Sequence, residues 1–138
     1  MARIYTIFFI FFATFAFSQQ ADIISIDDRL YDVFDREYLQ NLKTTNPFLI
    51  QRWNYYLDYA WSIEDLPAEK ATSTYQTITI PDLENINILL LEKEFDLKPD
   101  WQKFNMYKIA GTEKMLVYLP GKTFVARLNE HLGRTYND

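Results

Sequence analysis

Residues 47–62 read PFLIQRWNYYLDYAWS, and the expected fold depends most on this segment. Asn46 before it is a good helix N-cap, and Pro47 suits the first helical position. The pattern predicts a helix over 47–62. At about 100° per residue its polar residues form one narrow stripe, which consists of Gln51, Asn54, Asp58 and Ser62. The apolar arc exceeds the typical width of about 100°, so the helix needs cover on more than one side, from its own domain or from a partner.

Aromatic side chains dominate this helix, with five large rings between positions 53 and 61. Leu49, Trp53, Tyr56 and Leu57 lie in the middle of the apolar arc, and we expect them in the core. Tyr and Trp are also common anchors of protein interfaces, and their ring faces can stack on sugars or receive an extended peptide. We therefore select interface candidates at the margin and end of the arc, namely Phe48, Arg52, Tyr55, Tyr59 and Trp61.

The segments around this helix predict an α+β fold. Apolar residues at helical spacing predict an amphipathic helix over 26–42. Residues 75–80 alternate as a strand does, and 85–97 fit either a strand or a helix, with a helix over 87–95 favoured. Apolar runs at 104–109 and 115–119 predict a hairpin, and we expect a last helix that Thr123 caps and Gly133 ends. We expect two N-terminal helices, a small antiparallel sheet with a hairpin, and a C-terminal helix.

The first eighteen residues have the three-part pattern of a secretory signal peptide. Arg3 precedes a mostly apolar run over 4–17, which is shorter than the about 20 residues that span a bilayer. Small residues at 16 and 18 predict cleavage before Gln19. We expect a single exported α+β domain over 19–138, without a transmembrane segment after cleavage.

The end of this leader, Phe17-Ser18-Gln19-Gln20, resembles that of small exported proteins of the Bacteroidota. The high usage of Tyr, Phe, Asn, Ile and Lys is similar in style. The resemblance implies a cell with two membranes and a location in the periplasm, at the outer membrane or outside the cell. It implies no activity and no site residue.

Composition excludes several chemistries. The chain has no cysteine, so it has no disulfide, thiolate nucleophile or cysteine-ligated metal. Its formal charge is −5, and removal of Arg3 makes it −6. Without a compensating Lys/Arg cluster, this charge disfavours nucleic-acid binding. We expect no cofactor and no metal.

Catalytic patterns are sparse. The single histidine, His131, is expected at the edge of the last helix's apolar face, half covered by the core. No serine lies in a Gly-x-Ser-x-Gly turn, and no Gly-rich phosphate loop occurs. The carboxylates over 27–37 and at Glu64 and Asp65 are expected to be solvated.

These observations predict a non-enzymatic protein that binds another envelope protein, or itself, through the aromatic helix over 47–62. One alternative is a small-ligand protein that binds a glycan or a peptide at the aromatic margin. The other is a hydrolase that uses a pair of carboxylates, which would have to face each other about 5–10 Å apart across a cleft.

Overall fold

The structure is a computed structural model that describes residues 24–70, 74–100 and 102–133. The predicted signal peptide lies outside the described residues. Two compact units are present, one extending to Gln51 and the other starting at Arg52. A single domain over 19–138 stays a prediction.

The first unit contains a short 3-10 helix, Asp28–Asp32, and helix α1, Arg36–Thr45. The single helix predicted over 26–42 is therefore wrong, because the chain is extended at Asp35 (φ −63°, ψ 141°). Aspartate favours such N-cap positions over helix interiors. Leu30 and Leu39 are fully buried.

Helix α2, Pro47–Tyr59, begins where the sequence predicts and crosses the boundary between the two units. It ends three residues before the predicted position 62, because strand β1, Trp61–Asp65, pairs with another strand of the sheet. The Trp61 indole N–H donates to the Leu57 carbonyl at 2.7 Å and so satisfies an acceptor at the helix end.

The second unit contains a four-stranded sheet. Strands β2, Thr77–Ile78, β3, Asn105–Ile109, and β4, Lys114–Tyr118, join β1 in the order β1-β4-β3-β2. The predicted hairpin is confirmed as β3–β4. Both pairings of β4 are antiparallel, whereas β2 is parallel to β3.

The sheet is thus mixed, and the expectation of a purely antiparallel sheet is wrong at β2. Parallel neighbours need a long crossover connection, and here that connection contains helix α3, Ile88–Phe95. This helix confirms the favoured interpretation of the ambiguous segment. Asn87 caps it by accepting from the Leu90 N–H at 3.3 Å.

Helix α4, Gly121–His131, has its N-cap at Pro120, three residues before the predicted cap Thr123, and is followed by Gly133 with φ +65°. The core of the second unit includes Ile78, Ile88, Ile109, Leu116, Tyr118, Phe124 and Leu128. The fold class α+β is confirmed. Among the described residues, no helix combines the length and apolar character that a membrane span requires.

Candidate functional site

Three rings form an aromatic surface on the second unit. Tyr55 and Tyr59 lie one turn apart on α2 and stack with their ring centroids 4.6 Å apart, as residues at i and i+4 can. The ring of His131, from the end of α4, lies 4.8 Å from Tyr55 and 6.5 Å from Tyr59. We call Tyr55, Tyr59 and His131 the tyrosine surface.

The buried ring of Phe124 supports this surface from below. Its centroid lies 5.7 Å from that of Tyr55, and Tyr56 meets it edge to face at 5.5 Å. Phe124 is 1% exposed, whereas Tyr59 is 54% exposed. Tyr59 therefore stacks on Tyr55, and Tyr55 in turn packs against a ring of the core.

The five interface candidates do not form one cluster. Tyr55 and Tyr59 come together, and Arg52 lies close enough to Tyr56 for its charge to act on that phenol. Phe48 lies in the first unit and is half-buried. Trp61 lies on β1 and not on the helix, so its predicted place on the helical arc is wrong.

Of the four residues expected in the core, Leu57 is fully buried, while Leu49, Trp53 and Tyr56 are half-buried. His131 is exposed and packs on tyrosines, which differs from the expected half-covered position. These positions place more aromatic surface near the solvent than the helical pattern predicts.

A half-buried carboxylate in the second unit links residues of three elements. Glu92 of α3 accepts hydrogen bonds at Oε1 from the hydroxyls of Tyr56 on α2 and Tyr118 on β4, the latter at 3.0 Å. Tyr107 of β3 meets the Tyr118 ring edge to face at 6.0 Å. We call Glu92, Tyr56 and Tyr118 the Glu92 cluster.

Burial dominates the electrostatics of this cluster. It raises the pKa of Glu92, and the two phenol hydrogen bonds oppose the rise. Burial, followed by the negative charge of Glu92, raises the pKa values of Tyr56, Tyr118 and Tyr107. The phenols therefore stay protonated and can only donate to the carboxylate.

A shallow cleft adjoins the cluster and is lined in part by Tyr56, Tyr118, Phe124 and Asp100. Its empty volume is about 240 Å³, open solvent included, which is below the about 300–1,000 Å³ of typical ligand pockets. Asp100 is the one carboxylate among the described residues that line this cleft. Within the described ranges, no three His, Asp or Glu side chains group as metal ligands.

Most predicted surface carboxylates are solvated, as expected. The exposed members are Asp28, Asp32, Asp35, Glu37, Glu64 and Asp65. Asp27 differs, because it is half-buried and its carboxylate pairs with Arg29 at 2.7 Å. The side-chain hydrogen bond from Arg29 lowers the pKa of Asp27.

Glu92 is the residue that the sequence analysis does not identify, because glutamate is a common helix former and attracts no notice within a helical segment. A signal was present. Glu92 lies four residues after Ile88 and three before Phe95, so it shares a face with apolar positions of α3. An acidic residue on such a face indicates a buried, partnered carboxyl group.

Comparison with known proteins found no match to this chain among protein-family models, curated proteins or solved structures. The interpretation of both sites depends on their own geometry.

Proposed function

We propose that this chain is an exported, non-enzymatic protein that binds another protein of the cell envelope. The tyrosine surface, formed by α2 and the end of α4, is its proposed contact. Arg52, Phe48 and Trp61 remain candidates outside that surface. The single observation that carries the proposal is the exposed ring of Tyr59, stacked on Tyr55 and supported by the core through Phe124.

Preorganisation supports this assignment. A tyrosine that is already stacked loses little conformational freedom when a partner covers it, so more of the contact energy becomes affinity. Tyrosine also combines a large apolar ring with a hydroxyl, which suits a surface that is wet alone and buried in a complex. The tyrosine surface has both properties.

The Glu92 cluster is best explained as a group that stabilises the fold. Both phenols that reach Glu92 come from packed elements, and their hydroxyls point at a carboxylate of the same unit. This arrangement fixes α3 against α2 and β4. The non-enzymatic proposal assigns the cluster to stability and the tyrosine surface to binding.

The experiment places a photo-crosslinking phenylalanine analogue at position 59 or at position 38 in the cell that exports the protein. Tyr38 is a matched control, because it is 48% exposed and lies on α1 in the other unit. We expect one defined adduct from position 59 and none from position 38. Absence of an adduct at 59, or equal adducts at both, contradicts the proposed contact.

The proposed export has its own test. Mass spectrometry of the N-terminal peptide of the mature protein from the cell envelope is expected to identify Gln19, free or cyclised to pyroglutamate, as the first residue. An intact N-terminus on envelope-associated protein contradicts cleavage at that position.

A second candidate function is binding of a glycan or a short peptide, which the exposed stacked ring of Tyr59 also favours. Titration with cell-wall or polysaccharide fragments would raise the melting temperature of the native protein and leave that of Tyr59→Ala unchanged. An unaltered melting temperature in both proteins rejects this alternative.

A further inference from the structure

Strand β1 is an edge of the sheet, because its neighbour on one side is β4 and no described strand pairs with its other side. Two hydrogen bonds fix the direction of its backbone groups. The Leu119 N–H donates to the Ala60 carbonyl, and the Leu66 N–H donates to the Glu113 carbonyl, both at 2.9 Å. Even-numbered residues of this segment therefore direct their backbone N–H and C=O groups towards β4.

The odd-numbered residues face the opposite way, since hydrogen-bonded and non-bonded pairs alternate along an antiparallel ladder. Trp61, Ile63 and Asp65 thus direct their backbone N–H and C=O groups away from the sheet. Within the described part of the chain, no hydrogen bond joins these backbone groups to another residue. The edge presents a regular row of donors and acceptors.

We propose that a second copy of this chain pairs with the edge, β1 against β1 in antiparallel orientation, with the twofold axis at Ile63. In this register Ile63 exchanges both backbone hydrogen bonds with Ile63 of the second copy. Trp61 does the same with Asp65 of the second copy. Every outward N–H and C=O of the strand is then satisfied, and the two sheets become continuous.

This register avoids direct contacts between like charges. It places Glu64 opposite Ser62 and Asp65 opposite Trp61, so no carboxylate directly faces another, although like charges opposite each other destabilise a pair. Lys114 also lies 2.9 Å from Asp65 within the same chain and offsets that charge. Shifting the register by two residues would bring Asp65 opposite Ile63, leaving some outward groups unpaired.

The contact is a single strand pair, and stable dimers commonly bury more than about 1,200 Å². We therefore expect reversible, concentration-dependent dimers. The proposed contact uses the backbone groups of β1 and not the rings of the tyrosine surface, so this inference does not depend on the proposed function.

The absence of cysteine from the chain gives a direct test of the register. Ile63→Cys introduces a single thiol at the proposed axis, and Glu113→Cys introduces one at an exposed position of the β3–β4 turn. Each purified full-length protein is treated with a short bis-maleimide. We expect a covalent dimer from Ile63→Cys and none from Glu113→Cys. No dimer, or equal yields from both variants, overturns the proposal.

Sedimentation equilibrium tests the association without a crosslinker. Ile63→Lys places like charges at the axis, while Ile63→Thr keeps a β-branched, uncharged side chain. We expect the dimer dissociation constant to rise by about fivefold or more in Ile63→Lys and to change little in Ile63→Thr, with both variants retaining the unmodified protein's circular dichroism. A native protein that stays monomeric up to about 1 mM, where even weak pairs associate, overturns the inference.

Discussion

Glu92 carries a half-buried carboxyl group whose environment differs from water. Its carboxylate is surrounded by Tyr56, Tyr118 and Tyr107, and Arg52 is the nearby cation that acts on Tyr56. Because burial raises its pKa above the ordinary value of 4.5, the folded state holds this proton more tightly than the unfolded state. Folding stability must therefore depend on pH through this residue.

The sign of that dependence follows from linkage. The contribution of Glu92 to stability is fully present below pH 4.5 and is lost as the pH rises through the folded-state pKa. We expect Glu92→Gln to gain stability relative to the native protein as the pH rises from 4.5, and then to reach a constant difference.

Urea unfolding measured across this pH range checks the expectation. Glu94→Gln is the control, because Glu94 is exposed on the same helix. A difference between native protein and Glu92→Gln that is independent of pH, or that has the opposite slope, contradicts a carboxyl group whose pKa is raised by burial.

The two phenols of the cluster differ in burial, and Tyr118 is 2% exposed. Tyr118→Phe removes a hydrogen bond to a carboxylate without changing the ring. We expect a loss of about 1.5–3 kcal/mol in unfolding free energy. Tyr59→Phe, whose hydroxyl is on an exposed ring, should stay within about 0.5 kcal/mol of the native protein. Equal effects of the two substitutions in urea unfolding would contradict a structural role for the Tyr118 hydroxyl.

Local sequence signals predicted the start of α2 better than its end. Asn46 and Pro47 act on their own backbone, so their signal needs no distant partner. Trp61 lies in a strand and not in the helix, because it pairs with Tyr118 of β4, which is far away in sequence. Strand pairing thus decides the structure at Trp61 although the local spacing is helical. Pairing also limits β2, because only two residues of the strand predicted over 75–80 pair with β3.

The candidate site was predictable to a similar extent. The i, i+4 spacing of Tyr55 and Tyr59 predicts that they share a face, and they stack. Their contact with His131 depends on how α4 packs, and no local pattern encodes that contact. The Glu92 cluster likewise unites residues 26 and 36 positions apart.

The turn of the β3–β4 hairpin depends on Gly111, which has φ +73°. A Cβ at this position would meet no atom within 4 Å, so the cost of substitution is backbone strain alone. We expect Gly111→Ala to lower the unfolding free energy by about 1–2 kcal/mol. Gly111→Asn should cost less, because asparagine tolerates this region. Identical losses for both variants in urea unfolding would contradict this explanation.

At the scale of the whole molecule, the chain combines a packed core, the hydrogen-bonded Glu92 cluster and the tyrosine surface. It builds them without any cysteine. Stability comes from core residues such as Tyr118, Phe124 and Leu116, whose exposed fractions are 2% or less. Tyr59 lies outside this group, so its loss should affect binding far more than folding.

Isothermal titration of the isolated partner, once crosslinking at position 59 has identified it, tests the central claim most directly. We expect Tyr59→Ala to weaken binding by about thirtyfold or more, as truncation of an interface anchor does. Tyr38→Ala should leave the affinity unchanged, and both variants should retain the native melting temperature. Equal affinities of Tyr59→Ala and the native protein would contradict the account.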